Sequence, residues 1–242
     1  MEFEIFDYVL VAILVLVLPA YGTWEHRRLI QNLDSGRPQA RMAAYHTTIV
    51  VEWALSLLVL VWWLGRRRAL SDLGLGFEGG LGWTIGGALT LVACGLFVAQ
   101  TVAVVRSEQK LEDVRKQIEP LRALLPHNKR ELGTFAALSI TAGICEELLY
   151  RGFLLAVLTS ALGIVPAVVL SSIFFGIGHA YQGLLGILKT GGVGLVMAGL
   201  FLLTGSLWAP MLLHAVVDAN SGYIGHRSIL LLEREARVNS LE

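Results

Sequence analysis

Residues 142–153 read AGICEELLYRGF, with Glu146, Glu147 and Arg151 standing inside an otherwise apolar stretch. The surrounding run, from 134 to 163, is about thirty residues long, and a helix of that length measures about 45 Å. That exceeds a ~30 Å hydrocarbon core, so the helix must tilt, protrude or break. A charge at the centre of a membrane helix costs about 2.5–3.5 kcal/mol on insertion scales, so three of them call for partners or a wet cavity. Spacing divides the three. Glu147 and Arg151 are four apart, share a helix face and are expected to form a supporting ion pair. Glu146 lies about 100° round the helix from Glu147 and is left for chemistry.

The rest of the chain agrees that this stretch belongs in lipid. Its 242 residues are 55% hydrophobic and only 16% charged, where soluble domains carry about a quarter charged residues. The apolar residues come in runs of roughly twenty, enough for each to cross a bilayer as a helix. Seven spans are expected, at about 8–24, 46–65, 81–105, 134–163, 164–180, 184–203 and 207–224. The predicted fold class is therefore all-α, a polytopic transmembrane helical bundle. Between the third and fourth spans, Leu111, Val114, Ile118, Leu121 and Leu125 recur at helical spacing. They predict an amphipathic helix in the headgroup region, bent near Pro120.

The opening MEFEIFDYVL is acidic where a secretory signal is basic, so the first run reads as a retained span. The two cysteines, Cys94 and Cys145, sit in apolar runs and read as buried free thiols, with no disulfide framework or zinc-finger spacing. The formal net charge is zero, which gives no argument for a nucleic-acid partner. Lysine and arginine number four in residues 25–45 and seven in 106–133. By the positive-inside rule both loops and the tail are cytosolic and the N-terminus is outside, although Arg66, Arg67 and Arg68 count against this orientation. The compact chain and short loops point to a bacterial inner membrane.

Two further spans carry reactive side chains. Residues 174–181 read FFGIGHAY, with His179 four after Phe175; residues 212–220 read LLHAVVDAN, with His214 and Asp218 four apart on one face. A carboxylate beside an imidazole fixes its tautomer and raises its basicity. Glu146, His179, His214 and Asp218 thus fall on three apolar helices and can meet at one depth. Such a set suits water activation by a glutamate with imidazole help. It also suits a divalent metal such as zinc, with Glu146, His179 and His214 as ligands. Of the remaining polar residues, Glu52 either lines the cavity or, as the favoured reading, pairs with an arginine, and Lys189 is expected to snorkel to the interface. Gly191, Gly192 and Gly194 are expected to permit close helix packing.

The three motifs, E-E-x-x-x-R at 146–151, F-x-x-x-H at 175–179 and H-x-x-x-D at 214–218, resemble those of the CPBP intramembrane protease family, the type II CAAX prenyl proteases and bacteriocin-processing proteins. The run TGSLWAPMLLHAVVD is similar to that family's last motif region. The resemblance covers roughly residues 134–222; residues 1–133 match in hydropathy alone. It implies that Glu146 and His179 activate a water against a peptide carbonyl. It implies that His214 and the residue four later stabilise the oxyanion, with Glu147 and Arg151 in support. Asp218 stands where eukaryotic members have Asn, which suggests that it orients His214 instead.

The chain accordingly divides into N-terminal spans and loops at 1–133, a catalytic core at 134–224 and a cytosolic tail at 225–242. The expected function is hydrolysis of a peptide bond in a membrane-associated peptide or small protein. The rival readings are a non-catalytic scaffold or bacteriocin self-immunity partner and, behind it, a proton-coupled transporter.

Overall fold

The computed structural model describes residues 2–77 and 79–239. Eight helices follow one another: α1 (Ile5–Asp34), α2 (Ala40–Gly65), α3 (Gly80–Val105), α4 (Glu108–Ile118), α5 (Lys129–Leu162), α6 (Ile164–Gly178), α7 (Gly183–Thr204) and α8 (Trp208–Asn239). No strand occurs among the described residues. The all-α bundle is as expected.

Among the described residues, five helices, rather than the expected seven, are long and apolar enough to cross a membrane: α1, α2, α3, α5 and α7 with the short turn before it. The other two expected spans fall short for separate reasons. α6 is apolar but only 15 residues long. α8 carries His214, Asp218, Asn220, His226 and Arg227 along one continuous rod, which dilutes its apolar character. The predicted tail is the second half of that rod as far as Asn239; residues 240–242 lie outside the described residues.

α5 is the central rod. In its most apolar stretch 44% of residues are buried inside the protein, against 17–22% in the other four spans. Those four turn leucine and valine outward, as at Leu81, Leu91, Val61 and Leu184, which is the expected surface of a bundle bathed in lipid. The long run does not break. It widens instead, through a π-helical turn at Leu148–Leu154 immediately after Glu147; such turns are rare and frequent at functional sites. The main apolar core surrounds this turn: Leu148, Leu149, Tyr150, Phe153 and Leu154 pack with Leu10 and Leu14 of α1, Trp63 of α2 and Phe175 of α6.

Two close crossings set the depth of the site. A Cβ at Gly143 of α5 would stand 2.8 Å from the Met211 carbonyl of α8, and one at Gly176 of α6 would stand 2.6 Å from the Ile187 carbonyl of α7. Small residues there let the backbones approach as side chains would not. Gly191 and Gly194 face α6 in the same way, whereas Gly192 faces open space.

Both ends of the bundle are closed by buried polar locks. At one end, Asp7 of α1 accepts from both guanidinium nitrogens of Arg68, at 2.7 and 2.8 Å, and from Trp62 Nε1 at 3.0 Å. Arg66 pairs with Glu4 beside it. At the other end, Arg41 of α2 donates to both oxygens of Glu131 on α5 and to the Ala123 carbonyl. His226 Nδ1 lies 3.0 Å from the Pro126 carbonyl. Here the amphipathic segment differs from expectation. It is helical over α4 and tightens to a 3₁₀ turn at Glu119–Leu124, but Leu111 and Leu125 are buried against the protein itself. Its apolar stripe covers the end of the bundle.

Candidate active site

Glu146, Glu147 and Arg151 (α5), His179 at the end of α6, and His214 and Asp218 (α8) converge on one site. The ion pair read from spacing is present: Arg151 Nη1 donates to Glu147 Oε1 at 2.9 Å, with both side chains essentially fully buried. Arg151 is fixed on two more sides, by the Gly194 carbonyl at 3.3 Å and by the Phe175 ring 4.1 Å beneath its guanidinium. A buried pair survives desolvation only with such added partners.

Glu147 does more than balance Arg151. Its Oε1 also lies 2.8 Å from His214 Nδ1. A carboxylate only accepts, so Nδ1–H donates and the bond sets the imidazole's orientation. The orienting contact expected from Asp218 thus comes from Glu147, 67 residues away in sequence. Asp218 faces the other nitrogen, 3.6 Å from Nε2, with its side chain 39% exposed.

His179 is oriented by its own helix. Its Nδ1 lies 2.9 Å from the Phe175 carbonyl, which leaves Nε2 without a proton in the neutral ring. That carbonyl is open because α6 ends here: His179 leaves the helical conformation at φ −103°, ψ 23°. The four-residue spacing of the F-x-x-x-H motif has a second consequence. The Phe175 ring packs edge-on against His179 at 5.0 Å, His214 at 6.0 Å and Tyr150 at 5.1 Å. With Arg151 on its face, one aromatic ring spaces the charged groups of three helices.

Glu146 points away from the ion pair, as its angular position required. Its Oε2 lies 4.0 Å from His179 Nε2 and 3.9 Å from His214 Nε2. The same oxygen is buried without a hydrogen-bond partner. A buried unsatisfied carboxylate oxygen is costly and marks a place held open for something else.

Of the two readings of Glu52, the favoured one, pairing with an arginine, is not found among the described ion pairs. The charge of Glu52 meets Glu146, His214 and Asp218 rather than an arginine. It is 7% exposed, and its Oε2 too lacks a partner. Nothing in the spacing of α2 signals this, because the contact joins helices far apart in the chain. Lys189 is exposed on α7, away from these groups.

The donor types suit zinc, but their arrangement does not. Ligands about 2.0–2.1 Å from a tetrahedral ion stand about 3.3 Å from one another, and the Glu146–imidazole separations are 3.9 and 4.0 Å. No group of three or more His, Cys, Asp or Glu with metal-holding geometry occurs among the described residues.

Comparison with known families converges on the same segment. Residues 128–220 match the family described as Type II CAAX prenyl endopeptidase Rce1-like. The match at residues 128–220 supports the CPBP family. The match supports a CAAX-type intramembrane protease at the level of that family, and together with the five long apolar helices it supports a multi-pass membrane protein. The CPBP segment runs from the start of α5 through Asn220 of α8, so it takes in every motif residue and the helix crossings that assemble them. Glu52 lies outside it. Searches of curated proteins and of solved structures found no match.

Proposed function

We propose that the chain is an intramembrane endopeptidase in which Glu146 and His179 jointly activate one water. The observation that carries this reading is the gap of 4.0 Å between two acceptors, Glu146 Oε2 and the bare Nε2 of His179. Two acceptors cannot bond to each other. A water donating about 2.8 Å to each separates them by about 4 to 5 Å and keeps its lone pairs free to attack.

The chemistry follows from the donors and acceptors. Water attacks the peptide carbonyl carbon while its proton passes to Glu146. The carbonyl oxygen becomes an oxyanion. With a proton on Nε2, His214 donates to that oxygen, held in place through Nδ1 by Glu147. The Asp218 carboxylate, 3.6 Å from Nε2, favours a proton on that nitrogen through its charge. The C–N bond then breaks, and Glu146 returns its proton to the leaving amine. The substrate on this reading is a peptide or small membrane-associated protein that enters from the bilayer or the cytosol. The membrane is a bacterial inner membrane, with the N-terminus outside and the tail in the cytosol.

The test is cleavage of a membrane-associated peptide library by the purified chain, beside Glu146→Gln and His179→Ala. The expected result is loss of cleavage in both with the melting curve unchanged. Wild-type cleavage by both variants would overturn the enzyme reading, and a cellular phenotype that survives both would favour the scaffold.

A further inference from the structure

α2 and α5 run side by side in a fixed register. Arg41 pairs with Glu131, the Tyr45 ring meets Phe135 at 5.5 Å, Trp53 Nε1 donates to Thr141 Oγ1 at 3.2 Å, and the Trp63 ring meets Phe153 at 6.4 Å. Each contact joins residues 88 to 90 apart in sequence. The register therefore sets Glu52 level with Thr141 and Ala142, and Ser56 level with Cys145 and Glu146. Glu52 and Ser56 both lie on the buried face of α2, four apart and so one above the other. That face is closed on either side of them, by Tyr45 against Phe135 at one end and by buried Val59 and Trp63 at the other.

Each of the two leaves a polar atom unsatisfied. Ser56 is fully buried and its Oγ has no hydrogen-bond partner; Glu52 is 7% exposed and its Oε2 has none either. The Cys145 thiol is the group across from Ser56, but a thiol is a weak partner and leaves the hydroxyl unsatisfied. Other buried serines on these helices solve the problem locally. Ser139, Ser172 and Ser228 turn the hydroxyl back to the carbonyl four residues earlier, at 2.8–2.9 Å. That bond is open to any helical serine. Ser56 does not make it.

We propose that Glu52 Oε2 and Ser56 Oγ hold a buried water between them, a second solvent site at the depth of Glu146. Residues four apart on a helix have Cβ atoms about 5–6 Å apart, so two short polar side chains reach one water at about 2.8 Å each. The Ser56 hydroxyl donates to the water, and the water donates to the Glu52 oxygen. Two polar partners are the least that an internal water needs, and apolar walls at both ends keep it in place. The site is built by α2, outside the matched segment, so residues 1–133 bring more than hydropathy to the bundle. Hydrolysis consumes one water for each bond cut, and a water already bound at that depth replaces it without crossing lipid. That use rests on the peptidase reading; the solvent site does not.

The test is a structure of the full chain in lipid, at a resolution that shows ordered solvent, for the wild type and for Ser56→Val. The wild type is expected to show a water within about 3.2 Å of both Glu52 Oε2 and Ser56 Oγ, and Ser56→Val to lack it. No water there, a direct bond between the two side chains, or an unchanged water in Ser56→Val would overturn the proposal. A double-mutant cycle reads the same bridge without a map. Ser56→Val and Glu52→Leu each remove one partner of the water, and each is expected to lower the unfolding midpoint in mixed micelles. Combined, they are expected to lower it by clearly less than the two losses added, because both remove one shared bridge. Additive losses would count against it as decisively as a missing water. If either variant fails to fold, the wild-type structure decides alone. A chain that cleaves no peptide loses the use given to this water, and the site still stands or falls on these two measurements.

Discussion

The ends of this bundle and its middle handle buried charge in opposite ways. At the ends, each buried carboxylate has its cation: Asp7 is gripped by two nitrogens of Arg68 and by Trp62, and Glu131 by Arg41 and the His127 backbone amide. In the middle, Glu52, Glu146, Glu147 and Asp218 gather around two imidazoles, and the only guanidinium that the described contacts bring there is Arg151. Orphan carboxylate oxygens follow the same division. Glu52, Glu146 and Glu147 each have one, whereas Asp7 and Glu131 have none. Satisfied charge holds helices together; unsatisfied charge, kept at a cost in stability, is what a site that binds a water requires.

The sharpest way to break this contrast is at His179. Replacement by Ala is expected to lower kcat by about 10²-fold or more, the usual contribution of an acid–base partner, with unfolding unchanged. A melting loss without a rate loss would make His179 another lock. Next come the two buried pairs. Removing one partner of a buried ion pair costs about 3–5 kcal/mol. Asp7→Ala is expected to show that loss in unfolding equilibria in mixed micelles, with kcat of the folded fraction unchanged. Glu147→Ala is expected to show a similar loss and also a fall in kcat, because His214 loses its Nδ1 acceptor. Equal kcat in the two variants would erase the distinction. Gly143→Val presses α5 against α8 at Met211 and Ala215. About 1–3 kcal/mol of destabilisation is expected, with a smaller fall in kcat as His214 moves off Glu147.

The smallest effect tests an end. His127, outside the spans, has its pKa lowered first by burial and then by the neighbouring Arg41. A histidine that is harder to protonate when folded contributes stability that is complete above its unfolded pKa of about 6.5 and is lost as pH falls below it. Relative to His127→Gln, the wild type is therefore expected to lose stability between pH 6.5 and lower values and to match it above. A difference that grows with rising pH would contradict the assignment.

How much of this was legible in the sequence follows from the range of each contact. The Glu147–Arg151 pair and the outward turn of Glu146 are local helix geometry, so spacing sufficed. The bundle was legible because lipid imposes one composition on every span. The span count was not, because α6 is short and α8 threads polar residues through its length. Contacts between distant helices, such as Glu147 with His214, left no periodic signal. The same holds for the arginine triplet. Counted as loose basic residues, Arg66 and Arg68 argue about orientation; folded, they close the N-terminal end on Glu4 and Asp7.

The most direct measurement is an experimental structure in lipid at a resolution that shows ordered solvent. The account predicts a water within hydrogen-bond distance of both Glu146 Oε2 and His179 Nε2. Finding those two atoms in direct contact, or turned apart toward hydrocarbon, would contradict it.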